Sequence, residues 1–230
     1  MQASSPDLSH WQPVHAPAPV TLHGRYVTLE PLHAVHADAL WRAVHAHNDL
    51  FAWLAQGPFA NETAMMESLE RWRHAEHAVL LAIIPAETGL ADGWASYMRA
   101  VPQHGVVEVG NVLFSPDLQR TRAATEAMYW MARHVFETLG YRRYEWKCDT
   151  GNHASRRAAE RFGFTFEGLF RQHMVVKGRN RDTAWFSMLD HEWPARKRAF
   201  EAWLDPANFD QDGFQKQTLQ QFQSIEQSRA

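Results

Sequence analysis

The sequence predicts an α/β (α+β) fold, a mixed sheet flanked by helices, and three observations carry that prediction. Short strand-like runs interleave with helix-period segments between residue 20 and about residue 192. Strand-like runs with turn residues between them stand at both ends of that stretch, which favours hairpins over a purely parallel sheet. The 230 residues, 45% hydrophobic and 21% charged, suffice for one large or two small domains and can bury a sizeable core without staples.

Residues 1–19 hold Pro6, Pro13, Pro17 and Pro19 and read as an extended arm. Within Val20–Glu30, Val27 and Leu29 alternate with Tyr26, Thr28 and Glu30 as a strand closed by Pro31. Helices are expected over about 33–46 and 61–75, the second capped by Asn61. Between them, residues 49–58 form a loop too rich in apolar side chains to be filler. Val79–Ile84 reads as a buried strand, and Gly93–Val101 with Val106–Phe114 as a hairpin turned by Pro102–Gly105. The clearest helix repeats Ala124, Met128, Met131, Ala132, Val135, Phe136 and Leu139, with Gly140 as its left-handed stop. Arg143–Cys148 alternates as a strand, and a short helix spans roughly 153–162. Phe164–Val176 and Asp182–Leu189 are two last strands joined by Lys177–Asn180. A polar helix follows from Trp193 to Leu204. Residues 205–230, rich in glutamine, read as a loosely ordered tail, although Phe214, Leu219, Phe222 and Ile225 could line a docking helix.

Composition excludes several functions. A formal net charge of −3 argues against a nucleic-acid binder, whose domain would be strongly basic. No apolar run approaches the ~18 residues of a membrane span, so no membrane partner is expected. The first residues lack the charged and apolar parts of a secretory signal, and Cys148 is the single cysteine; a cytoplasmic setting follows as the expectation. Fourteen histidines raise the question of metal. His33/His36 and His74/His77 sit three apart, but neither pair belongs to a His-Glu-x-x-His pattern, so no metal is expected.

Charge is unevenly spread. Residues 115–182 carry thirteen Lys/Arg against eight Asp/Glu inside an otherwise acidic chain, a balance suited to a small polyanion. Ser115–Glu126 joins a strand directly to the long helix, so the helix begins with free N–H groups and the positive end of its dipole. Ala123 and Ala124 allow close approach to that backbone, and Arg120 and Arg122 add charge.

The order of strand, phosphate-like turn, long helix and strand, followed by Asn152–Gly168, resembles the GNAT superfamily of acetyl-CoA-dependent N-acetyltransferases. The similarity is to the branch containing the ribosomal-protein N-terminal (alanine/serine) acetyltransferases. It rests on Leu22–Leu32, Glu108-Val-Gly110, Thr125-Glu-Ala127, the Asn152…Ser155…Gly163-Phe164…Glu167-Gly168 block and Gly178-x-x-x-Asp182. The resemblance spans about residues 20–192 and leaves 1–19 and 193–230 as flanking segments. It implies a twisted, mostly antiparallel sheet with splayed central strands, acetyl-CoA as donor, and a primary amine as acceptor. The acceptor would be a peptide or protein N-terminus or a small amine.

Family positions then fall on particular residues. The pyrophosphate would lie on Gln119-Arg120-Thr121-Arg122-Ala123-Ala124, running into Thr125, with Arg122 standing where the family has a glycine. The pantetheine arm would pair with Val112, Leu113 and Phe114. Asn152 and Ser155 would flank the thiol, with Arg156 or Arg157 near phosphates. Glu108 is the candidate base and Ser155 the candidate proton donor to the departing thiolate. Phe51 and Trp53 would wall the acceptor site. The tyrosine that many members use as acid is replaced at Ala159 or Glu160, and a late-strand glutamate by Met174, next to which His173 could serve. The rival functions are a non-catalytic acyl-CoA-binding sensor and a partner-binding module. The late strands and the tail offer surfaces for a homodimer.

Overall fold

A computed structural model describes residues 7–228. Its sheet has eight strands in the order β1-β2-β3-β4-β5-β6-β8-β7. They are β1 (Leu22–His23), β2 (Val27–Pro31), β3 (Val79–Pro85), β4 (Gly93–Val101), β5 (Val106–Phe114), β6 (Arg143–Asp149), β7 (Thr165–Val176) and β8 (Arg179–Leu189). Every neighbouring pair is antiparallel except β5 and β6, which run parallel. That one parallel pair needs a crossover, and the long helix supplies it.

The helices are α1 (Ala37–Val44), α2 (Glu62–Ala75), α3 (Arg122–Arg133), α4 (His153–Arg161), α5 (Trp193–Leu204) and α6 (Leu219–Gln227). Apolar contacts form two clusters. Leu40, Val44, Met65 and Leu69 of α1 and α2 pack on Leu80, Ala82 and Trp94. On the other face, α3 packs on Val107, Val109, Tyr144 and Trp146, with α5 outside it. Asn61 caps α2 as expected, its side chain accepting from the Ala64 N–H. Past Arg133 the helix loosens into a π turn over His134–Thr138, and Gly140 ends it with φ 72°.

Several expectations need correction. The first strand region is split into β1 and β2, held by Glu126 of α3. Its carboxylate is 5% exposed and accepts from the N–H groups of Arg25 (2.9 Å) and Tyr26 (2.6 Å). The last turn is only Lys177-Gly178, both at positive φ (49° and 73°), the geometry of a tight two-residue hairpin. The helix expected to be polar, α5, buries Trp193, Ala199, Phe200, Trp203 and Leu204, because its apolar stripe covers the outer face of α3.

The tail is also ordered. Residues 209–215 close a small hairpin, bridged at Phe209 and Gln215. Asp210 Oδ1 accepts from the N–H groups of Asp212 and Phe214. α6 follows on α5 with Leu219 fully buried, whereas Phe214 is 71% exposed and lies outside the helix. At the other terminus, Trp11 Nε1 donates to Gln103 O and His15 O accepts from the Tyr141 hydroxyl. The arm thus lies on the β4–β5 hairpin; residues 1–6 fall outside the described residues. No helix among the described residues is long and apolar enough to cross a membrane.

Candidate active site

A cleft of about 1460 Å³ opens where β5 and β6 part. Their pairing ends at Val109↔Trp146. Just beyond, the β4–β5 register shifts so that Asn111 and Val112 face the single residue Ala95, and Asn111 takes φ 48°. Such a bulge bends its strand and breaks pairing. Gly110–Phe114 therefore lines the cleft with a strand edge that has no β6 partner.

One end of the cleft is the turn into α3. Ser115 fixes it: its Oγ accepts from the Leu118 N–H (3.0 Å) and its carbonyl from the Gln119 N–H (3.0 Å). Gln119 Nε2 donates to Phe114 O (3.1 Å). Thr121 caps the helix, its Oγ1 accepting from the Ala124 N–H (3.1 Å). Among the described residues the N–H groups of Arg120, Arg122 and Ala123 have no acceptor, and all three residues line the cleft. The left-handed position of the turn is Arg120 (φ 63°), not Arg122, so an arginine in place of the family's glycine costs no backbone strain.

The facing wall is α4. Asn152 caps it, its Oδ1 accepting from the Ser155 N–H (3.0 Å). Ser155 Oγ accepts from Trp146 Nε1 (2.9 Å), which leaves the hydroxyl proton free to turn elsewhere. Its neighbour Cys148 is a thiol whose pKa burial raises, a rise that a hydrogen bond from Ser155 partly offsets. Arg157 and Arg161 line the cleft and Arg156 does not, because 157 and 161 share a helix face. Arg161, with its pKa lowered by burial, donates to Thr125 Oγ1 (3.1 Å) and lies 5.0 Å from the centre of the Trp203 ring.

The other end has a different character. Trp53 is 44% exposed and lines it; a Cβ on Gly151 would sit 2.9 Å from its ring. Phe51 does not line it. That side chain is 2% exposed in the core against Phe59, since it is the residue that anchors the loop. Glu108 lines the cleft at 3% exposure. Both its oxygens receive Arg99 Nη1 (3.2 Å), and Lys147 Nζ is 2.9 Å away. Lys147 continues to Glu145 (2.7 Å) and lies 3.8 Å from the centre of the Trp185 ring. Arg143 then links Glu145 to Glu167, whose carboxyl it holds below the ordinary value. His173 is not in the cleft: its Nδ1 meets Thr183 Oγ1 (2.9 Å) and its ring packs by Phe170 and Trp185. Met174, its neighbour, takes the cleft position instead.

Residues that sequence reasoning passed over complete the site. Asp149 Oδ1 accepts from the Gly151 N–H (2.8 Å), while Oδ2 has no hydrogen-bond partner among the described residues. Arg181 donates through Nε to Thr183 Oγ1 (3.2 Å), and its terminal nitrogens are unpaired among those residues. Asn111 Nδ2 and Gln56 Nε2 are buried without an acceptor. Asp149 ends the strand before α4, and Arg161 stands four residues after Arg157, so both were within reach of the sequence. Among the described residues no group of three His, Cys, Asp or Glu side chains is arranged to hold a metal ion.

The cleft can thus take an elongated ligand with an anionic end on the turn and a reactive end by Ser155, Asp149 and Glu108. Comparison with known proteins supplies the class. The acetyltransferase (GNAT) domain model matches residues 27–165. A solved GCN5-related N-acetyltransferase from Brucella melitensis is 48% identical, covering 94% of this chain and 100% of its own at a TM-score of 0.88. A GNAT-family structure from Chromobacterium violaceum, described as a probable acetyltransferase, is 43% identical over 85% of this chain and 98% of its own, at a TM-score of 0.78. The Bacillus subtilis (strain 168) protein named "Putative ribosomal N-acetyltransferase YdaF" is 26% identical over 181 residues, 75% of this chain and 96% of that protein.

Proposed function

The chain belongs to the GNAT acetyltransferases, which move acetyl groups to amines, and from that premise we propose that it takes the group from acetyl-CoA and delivers it to a primary amine by direct attack. One observation carries the reading: three unpaired N–H groups at the start of α3 stand at one end of a cleft whose floor is the unpaired edge of β5. That pairing suits a diphosphate followed by an amide-bearing arm. Arg122 and Arg157 add positive charge at the phosphate end.

At the reactive end the amine must lose a proton, the tetrahedral oxyanion needs a donor, and the thiolate needs a proton. Asp149, with one oxygen unengaged, takes the proton from the attacking amine. Glu108 stands where the family resemblance puts the base, but its oxygens are held by Arg99 and Lys147; it fixes those cations and the wall they form. Asn111, with its buried amide donor, faces the developing oxyanion. Ser155 gives its hydroxyl proton to the leaving sulfur, with Trp146 holding Oγ in place.

The acceptor site mixes Trp53 with the cations Arg99, Lys147 and Arg181 and with the carboxylates Asp49, Glu76, Glu108 and Asp149. This near-neutral mixture favours an acceptor carrying charge of both signs, as a peptide N-terminus does, over a polycation. The test is thiol release from acetyl-CoA with a panel of peptide N-termini, amino acids and polyamines, the product verified by mass. Acetylated peptide with polyamines untouched is expected. Release that no amine stimulates would overturn the reading and favour a coenzyme-binding module.

A further inference from the structure

The cleft does not stop at the phosphate turn. It continues along the Arg157 and Arg161 face of α4 to Trp203, Phe209, Gly213 and Phe214, residues beyond the 27–165 stretch that the family model matches. Three features give this extension a chemical character. Of the lining residues after Asp149, none is acidic, and Arg157 and Arg161 are cationic. Phe214 presents a ring that is 71% exposed. The hairpin carrying it is fixed, with Asp210 holding the N–H groups of Asp212 and Phe214 and Asn208 holding Gln217.

Arg122 ties the hairpin to the turn. Its guanidinium lies 4.4 Å from the centre of the Phe209 ring and 5.1 Å from that of Tyr26. No carboxylate or carbonyl among the described residues accepts from it. Stacked on two rings, the fork is oriented at little further entropic cost and keeps its N–H donors for a ligand. This explains why an arginine occupies the family's glycine position: its partner is the C-terminal hairpin.

We propose that residues 205–217 form a clamp on the nucleotide end of coenzyme A, Phe214 stacking on the adenine and Arg122, with Arg157 and Arg161, holding the ribose 3′-phosphate. The proposal rests on the acetyl-CoA reading above. A planar base against an exposed ring and a dianion among guanidinium groups are the two contacts that chemistry favours here.

Titration calorimetry of the full chain with CoA and with 3′-dephospho-CoA tests it. The wild type is expected to bind CoA at least tenfold tighter. Phe214→Ala, an exposed position whose loss leaves folding intact, should weaken both ligands about tenfold. Arg122→Gln should bring CoA down towards dephospho-CoA, its thermal melting being followed to confirm the fold. Equal affinity of the wild type for the two ligands, or CoA binding unchanged in both variants, overturns the clamp and leaves acetyl-CoA use standing. Absence of wild-type binding to either ligand overturns the acetyl-CoA reading and the clamp with it.

Discussion

Asp149 and Glu108 line the same cleft but differ in what surrounds them. Glu108 is enclosed by Arg99 and Lys147, whereas Asp149 keeps one oxygen open to the cleft. Asp149→Asn is therefore expected to lower kcat by about 10²–10⁴-fold, with the dissociation constant for acetyl-CoA held, as calorimetry and initial rates will report. Glu108→Gln should act first on the fold. It removes the charged acceptor that Arg99 and Lys147 share and costs on the order of 2 kcal/mol in chemical denaturation, although Arg99 keeps Glu76 and Lys147 keeps Glu145. Equal stability of that variant and the wild type would contradict the structural role. Glu108 was legible in the sequence because its strand runs into the turn. Its partners were not: Arg99 reaches it through a bulge with φ 47°, and Lys147 across the β5–β6 pairing.

Among the elements, helix and strand positions followed from periodicity, and the exceptions have physical causes. α5 looked polar because Arg196, Lys197, Arg198 and Glu201 mask a stripe from Trp193 to Leu204 that is visible only once α3 is beneath it. The tail was read as loose because its glutamines offer little apolar area. The few apolar side chains it has are enough: Leu219 joins the main core, with Phe209 and Phe222 packed against it, and polar contacts fix the rest, such as Asn208 Nδ2 to the carbonyls of Trp203 and Gln217 (3.1 Å each) and Gln223 Nε2 to Arg161 O (2.9 Å).

The joint between α3 and α5 carries a pH prediction. Burial alone would raise the Glu137 carboxyl, but hydrogen bonds from Lys197, Trp193 and Arg133 outweigh it and pull the pKa from 4.5 down to about 2. A carboxyl lowered by folding stabilises the native state above its unfolded value, and that stability is lost as pH falls through the folded one. Glu137→Gln should therefore melt below the wild type at pH 6, with the difference shrinking between about pH 4.5 and 2. A difference that does not change with pH would show that the carboxylate's charge contributes nothing there.

For the molecule as a whole, the charge asymmetry of residues 115–182 resolves into a division along the cleft. Arginines from α3 and α4 converge on the turn, where Asp92 and Asp117 also line the cleft, while Arg99 of β4, Glu108 of β5, Lys147 and Asp149 of β6 and Arg181 of β8 mix both signs at the far end. A mixed, mostly antiparallel sheet with splayed central strands was legible from the alternation of elements and from the family resemblance; the strand order and the single parallel pair were not. The depth of the cleft was not, because it depends on where β5 leaves β6, and a bulge at Asn111 sets that point through backbone geometry rather than residue type. Nor was the contribution of the C-terminal segment, since Arg122 and Phe209 lie far apart in sequence and meet only in the fold.

The central claim is that this cleft takes acetyl-CoA, and thermal unfolding in its presence, with ATP as a polyanion control, tests that claim most directly. At a hundredfold excess over its dissociation constant the ligand should add about 2.7 kcal/mol of stability. Selective stabilisation by acetyl-CoA is the expected result; no shift, or an equal shift with ATP, would contradict the account.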